Sequence, residues 1–133
     1  MDNLPTAASA AASAAEAVRA LNHHTMQRSP DFPGEDLADA YAVVGELRVL
    51  AQRLPQALGQ IGALVEPPRA GVVYGSDNAD TPDDVLADLM VALGAGTAAA
   101  DELRRYLDAA HSALGHLRVE RQLTVVAPDG QPG

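Results

Sequence analysis

His23, His24, His111 and His116 have the widest chemical reach in this sequence, because imidazole binds metals and moves protons near neutral pH. Their spacing works against a shared site. Adjacent helical residues point about 100° apart, and a five-residue step does not share a face as a four-residue step does, so neither pair is a ready chelate. A di-metal bundle site needs a Glu-x-x-His pair on each of two helices. The nearest match, Asp108-Ala-Ala-His111, occurs once. The histidines are therefore expected at the surface or at helix ends, and no metal or other cofactor is expected.

Asp77, Asp80, Asp83, Asp84 and Asp88 supply hard oxygen ligands, but they lack the Asp-x-Asp-x-Asp-Gly order and closing glutamate of a calcium loop. They read as a solvated helix start favoured by the macrodipole. Nucleophilic chemistry has little support: there is no Gly-x-Ser-x-Gly elbow, and Gly94-Ala95-Gly96 lies inside a helical pattern with no strand before it. The chain has no cysteine, which removes disulfides, thiolate nucleophiles and Cys-based metal sites. No catalytic residue is assigned, and the chain reads as a non-enzyme.

Eighteen acidic side chains against nine basic ones give a formal charge of -9, and every basic one is arginine. Such a surface repels phosphate backbones, so direct nucleic-acid binding is not expected. The amino terminus lacks the basic start and strongly apolar middle of an export signal, and no window approaches a spanning helix. These features imply a cytoplasmic protein without a membrane contact.

The elements that must position these residues are helices, and 133 residues fit a single helical domain. Helix 1 is expected over 6–25, capped by Thr6, with Ala7, Ala11, Ala14, Val18 and Leu21 along one face. Pro30 and Pro33 break the pattern. Helix 2 is expected over 36–65, kinked at Pro55, with Leu37, Val44, Ala51, Leu58 and Val65 at one heptad position and Ala40, Leu47, Leu54 and Ile61 three residues further on. Helix 3 is expected over 81–118, opened by Thr81-Pro82-Asp83-Asp84. Val72–Tyr74 and Leu123–Val126 are short β-prone runs, and 127–133 is expected to be a disordered tail.

The fold class that follows is all-α: an elongated bundle built on a long antiparallel helical hairpin plus an N-terminal helix. Leu47, Ala51, Leu54, Leu58 and Ile61 are the expected hairpin packing residues. Leu86, Leu89, Leu93, Leu103, Leu107, Leu114 and Leu117 form the expected core and oligomer seam of helix 3, with Leu103 and Leu107 buried. Folding Val65 back beside Val85 places Ala51 and Pro55 along 94–100, so that small residues face one another.

The runs Ala17-Val18-Arg19-Ala20-Leu21-Asn22-His23 and Leu54-Pro55-Gln56-Ala57-Leu58 resemble small Ala-rich helical proteins of unknown function from high-GC actinobacteria. The resemblance implies a helical bundle and carries over no site residue.

A core drawn from Leu, Val, Ile and Ala, with no tryptophan and a single Phe, is thin, and narrow bundles gain stability by pairing. The expected function is a self-associating interaction, scaffold or regulatory protein, as a homodimer and with an unidentified protein partner. Two alternatives stand beside it: a ligand-binding or enzymatic bundle with a pocket near the Pro55 bend, and an acidic regulator acting near nucleic acid. Acidic residues at the start of helix 3 and Arg104, Arg105, Arg118 and Arg121 towards its end favour an antiparallel pairing of that helix, which would join Val72–Tyr74 of one copy to Leu123–Val126 of the other. Because no heptad continues past Arg118, a chain ending there should keep its helix content by circular dichroism; major loss of helix would contradict the assignment.

Overall fold

The computed structural model describes residues 6–27, 33–66 and 71–121. It is all-α, with α1 over Ala7–Thr25, α2 over Pro33–Val65 and α3 over Pro82–Gly115, and no strand among the described residues. No described helix is long and apolar enough to cross a membrane. The chain divides into two compact units. The first holds α1; the second, Leu37–Arg118, holds nearly all of α2 and the whole of α3.

In the first unit, α1 opens on a capping box. The Thr6 hydroxyl accepts from the Ser9 backbone N–H at 3.0 Å, and Ser9 Oγ accepts from the Thr6 N–H at 2.8 Å, so two otherwise open donors are satisfied. Alanine, which loses no side-chain entropy, extends the helix. Arg19 pairs with Glu16 one turn earlier, and the Thr25 hydroxyl donates to the Leu21 carbonyl. Ala7, Ala11, Ala14 and Val18 are exposed, and Leu21 is half-buried.

Helix α2, which lies in the second unit from Leu37 onward, begins at Pro33, three residues before the expected start. Proline is preset for the first helical position, and Glu35 and Asp36 in the first turn suit the positive end of the dipole. The helix runs without interruption through Pro55. At its far end the Glu66 N–H donates to the Gly62 carbonyl at 3.0 Å and the Tyr74 hydroxyl to the Val65 carbonyl at 3.2 Å. Carbonyls of a last turn have no partner within the helix, so the Tyr74 hydroxyl satisfies one of them, and the β-prone run Val72–Tyr74 forms no strand. Its proposed partner run, Leu123–Val126, lies outside the described residues.

Thr81 caps α3 by accepting from the Asp84 N–H at 3.2 Å, with Pro82 first in the helix. The helix stops at Gly115, three residues short of expectation. The His116 and Leu117 N–H groups close tight turns onto Ala113 and Leu114 at 3.1 Å, and glycine loses more conformational freedom in a helix than any other residue. Leu117 therefore lies beyond α3 and is 60% exposed.

The two helices of this unit are antiparallel, and their register is read from side-chain meetings. Tyr41 lies against Gly115, His111 against Gly45, Arg48 against Asp108 and Leu58 against Gly96, so residue n of α2 is level with about residue 156 − n of α3. This differs by about six residues, nearly two turns, from the expected pairing of Val65 with Val85. The size pattern differs as well, for large side chains enter gaps left by glycine instead of small facing small. A Cβ at Gly96 would sit 3.3 Å from Leu58 Cδ1, one at Gly62 3.3 Å from Met90 Sδ, and one at Gly45 3.2 Å from His111 Nε2. Close approach of the backbones follows, and with it burial of Ala51 at 0% and Ala100 at 6% exposure, the fully enclosed apolar side chains among the described residues.

Glycine is thus required at some helical positions and only a cost at others. Gly45→Val should lower stability by about 1–3 kcal/mol through overpacking against the His111 ring. Gly59→Ala and Gly94→Ala, where a Cβ would meet nothing within 4 Å, should raise it by about 0.5–1 kcal/mol each. Urea unfolding of the variants checks both directions.

Candidate functional site

Along one flank of the α2–α3 hairpin, polar side chains recur every heptad. Tyr41 and Arg48 on α2 are seven apart, as are Asp101 and Asp108, and Arg104 and His111, on α3. The helical repeat brings each set to a common face. Arg48 reaches across the hairpin with two donors: its Nε lies 2.8 Å from Asp108 Oδ1, and its Nη1 donates to His111 Nδ1 at 2.9 Å. Guanidinium has no lone pair to offer, so Nδ1 must accept and the ring proton sits on Nε2. The His111 ring stacks on Tyr41 with centroids 4.0 Å apart and planes 20° from parallel.

The cluster continues along α3. Arg104 Nη1 lies 2.7 Å from Asp108 Oδ2, its Nη2 lies 3.3 Å from Asp101, and Arg105 Nη2 lies 2.9 Å from Asp101 Oδ2. Hydrogen bonds from Arg105 first, and then Arg104, hold the Asp101 carboxyl below its ordinary value of 3.8, and the same contact raises the Arg105 guanidinium. A depressed folded value means that the stability contributed by Asp101 is present above 3.8 and is lost as pH falls through the depressed value.

This arrangement locks two helices in register; it does not present a reactive group. Asp108 and His111, the pair nearest to a metal motif, are both engaged by Arg48. Among the described residues no group of three or more His, Asp or Glu side chains is placed to hold an ion. His23 and His24 sit edge to face in the last turn of α1, and His116 caps α3. Asp83 and Asp84 lie in the first turn of α3 and Asp77, Asp80 and Asp88 are exposed. Arg104 and Arg105 are matched by aspartates of their own helix, so the charge asymmetry expected to drive an α3–α3 pairing is weaker than the residue order implies.

The opposite flank is different in kind. With Leu37, Val44 and Ala51 at heptad position a of α2, and Leu86, Leu93 and Ala100 at position a of α3, Tyr41, Arg48, Arg104, His111 and the Gly62–Met90 contact occupy the e positions, with Asp101 and Asp108 at the neighbouring b positions. Because the two chains run in opposite directions, their d and g positions fall together on the other side. On α2 these are Ala40, Val43, Leu47, Leu50, Leu54, Ala57, Ile61 and Leu64. On α3 they are Val85, Leu89, Ala92, Gly96, Ala99, Leu103, Tyr106, Ala110 and Ala113, continuing to Leu117 just past the helix. No charged side chain interrupts either row.

The expected seam residues divide between these surfaces. Ala51 is buried, and Leu47, Leu54, Leu58, Leu86, Leu89, Leu93, Leu107 and Leu114 are half-buried. Leu103 and Ile61 are each 45% exposed within one chain, so Leu103, expected in the core and oligomer seam, is not buried by the hairpin itself; both stand at d. Of two shallow open grooves, one is lined by Leu58, Gly62, Met90 and Leu93 among others and one by Glu46, Val49, Leu50, Arg53, Leu54 and Ala57; Pro55 lines neither. The polar clamp was missed by sequence reasoning, although the heptad recurrence of Tyr41 with Arg48 beside Asp108 with His111 was a usable signal.

Arg48 and Asp108 side chains are 39% and 40% exposed, so water screens their attraction. A double-mutant cycle of Arg48→Gln and Asp108→Asn should give a coupling of about 0.5–1 kcal/mol in urea unfolding, and a coupling of zero would remove the clamp as a register device. Comparison of the chain with known protein families, with curated proteins and with solved structures gives no match.

Proposed function

We propose that this chain is a non-enzymatic, self-associating helical interaction module that acts in the cytoplasm through protein–protein contacts. The observation that carries the reading is the balance of apolar surface. Two apolar side chains are buried among the described residues, whereas Leu50, Ile61, Leu64, Leu103 and Tyr106 stand at 37–66% exposure in one continuous uncharged region. Single exposed hydrophobes need no explanation, but a contiguous apolar face on a narrow hairpin is the mark of a surface made for contact.

A catalytic reading has less support. The polar cluster on the hairpin is closed on itself by Arg48, Arg104 and Arg105, and the apolar grooves are open. A catalytic site needs convergent polar groups in an enclosing pocket.

Native mass measurement over micromolar concentrations tests the proposal. The expected result is twice the 13.7 kDa chain mass or a higher multiple. A chain that stays monomeric throughout overturns it.

A further inference from the structure

The apolar flank has a shape and a border that select one occupant. Between Ala40 and Leu64 it runs about 37 Å at 1.5 Å per residue, and two helices of about 10 Å diameter make it about 20 Å wide. A partner covering it would bury about 700 Å² on each side, or about 1,400 Å² in total, within the range of stable specific interfaces. With a net charge of -9, two copies repel each other except where the meeting surfaces carry no acid, and this flank carries none.

We infer that the flank is covered by the same flank of a second copy, related by a two-fold axis parallel to the helices, so that α2 of each copy lies on α3 of the other. The inference rests on the self-association proposed above and specifies its geometry. Such an axis preserves height, so the register within the hairpin also sets the register between copies. Leu47 then falls level with Ala110 of the second copy, Val43 with Ala113, Leu64 with Ala92 and Ile61 with Gly96, large against small, while Leu50 meets Tyr106 and Leu54 meets Leu103 at the middle and Ala57 lies level with Ala99.

The border agrees. At position c, which edges the flank, α2 carries Asp39, Glu46 and Arg53, and α3 carries Asp88, Glu102 and His116. All six are exposed, and the register sets Glu46 level with Ala109. The same register sets Arg53 beside Glu102 of the second copy and Asp39 beside its His116, and sets no like charges beside one another. Turning the axis perpendicular to the helices, so that α3 lies on α3, loses both matches. The Tyr41–Arg48–His111 clamp would face outward in the resulting four-helix assembly.

The absence of cysteine makes a direct test available. One full-length chain carries Leu54→Cys and another Leu103→Cys; they are mixed, allowed to exchange and oxidised. The expected product is mainly the mixed disulfide, because these positions face each other between copies at the short Cβ separation a disulfide needs. In parallel, Arg53→Glu or Glu102→Arg alone should weaken dimerisation about tenfold, and the two together should restore it. Val91→Glu, an exposed apolar position off the flank, should leave the dimer unchanged. A dimer that cross-links mainly Leu103→Cys to itself, or that is weakened by Val91→Glu and indifferent to the charge pair, overturns this geometry while leaving self-association standing. A monomer overturns both.

Discussion

Two helices can hide from water only the strip along which they touch. That limit governs everything else in the Leu37–Arg118 unit. Its helices are apolar at three positions of every heptad, a, d and g, while the antiparallel pair leaves the large a side chains only half-buried and much of the d and g rows half-buried or exposed. Ala51 and Ala100 mark where enclosure is complete, and the d and g rows are left as one uncharged flank. Stability of such a unit scales with the apolar area it can remove from water, and the largest available area lies on its outside.

Within that limit, glycine and the polar clamp determine how the hairpin closes. Gly45, Gly62, Gly96 and Gly115 each admit a larger side chain from the other helix, which pulls the backbones together and sets their relative height. Arg48 then fixes the height by holding Asp108 and His111, two acceptors spaced one turn apart. A slip of one turn would detach both. The contacts are individually modest because water reaches them, but they oppose sliding, against which an apolar seam of repeated leucines offers little resistance.

The helices themselves were legible in the sequence because their signals are local. Thr81-Pro82-Asp83-Asp84 names the start of α3 to the residue, and Thr6 that of α1, since caps and dipole charges act within one turn. The end of α3 and the start of α2 were missed by three residues each, where Gly115 and Pro33 compete with the heptad pattern. Leu103 and Ile61 were placed inside because a heptad reading of a and d assumes a partner on both rows. What a single chain cannot signal is whether that partner exists within it. The g rows, from Val43 to Leu64 and from Val85 to Ala113, were readable as a third apolar position per heptad and would have pointed to a surface too wide for two helices. The register was not legible, because it is fixed by His111 entering the gap at Gly45 and by Arg48 reaching Asp108, contacts between residues sixty or more apart in sequence.

If association supplies burial that the hairpin lacks, folding and assembly are linked by mass action, and stability must depend on protein concentration. The most direct measurement is the thermal unfolding midpoint, followed by circular dichroism, over a hundredfold range of chain concentration. The account predicts a midpoint that climbs steadily with concentration. A midpoint that stays constant across the range would contradict it, for the hairpin would then be stable with its apolar flank in water.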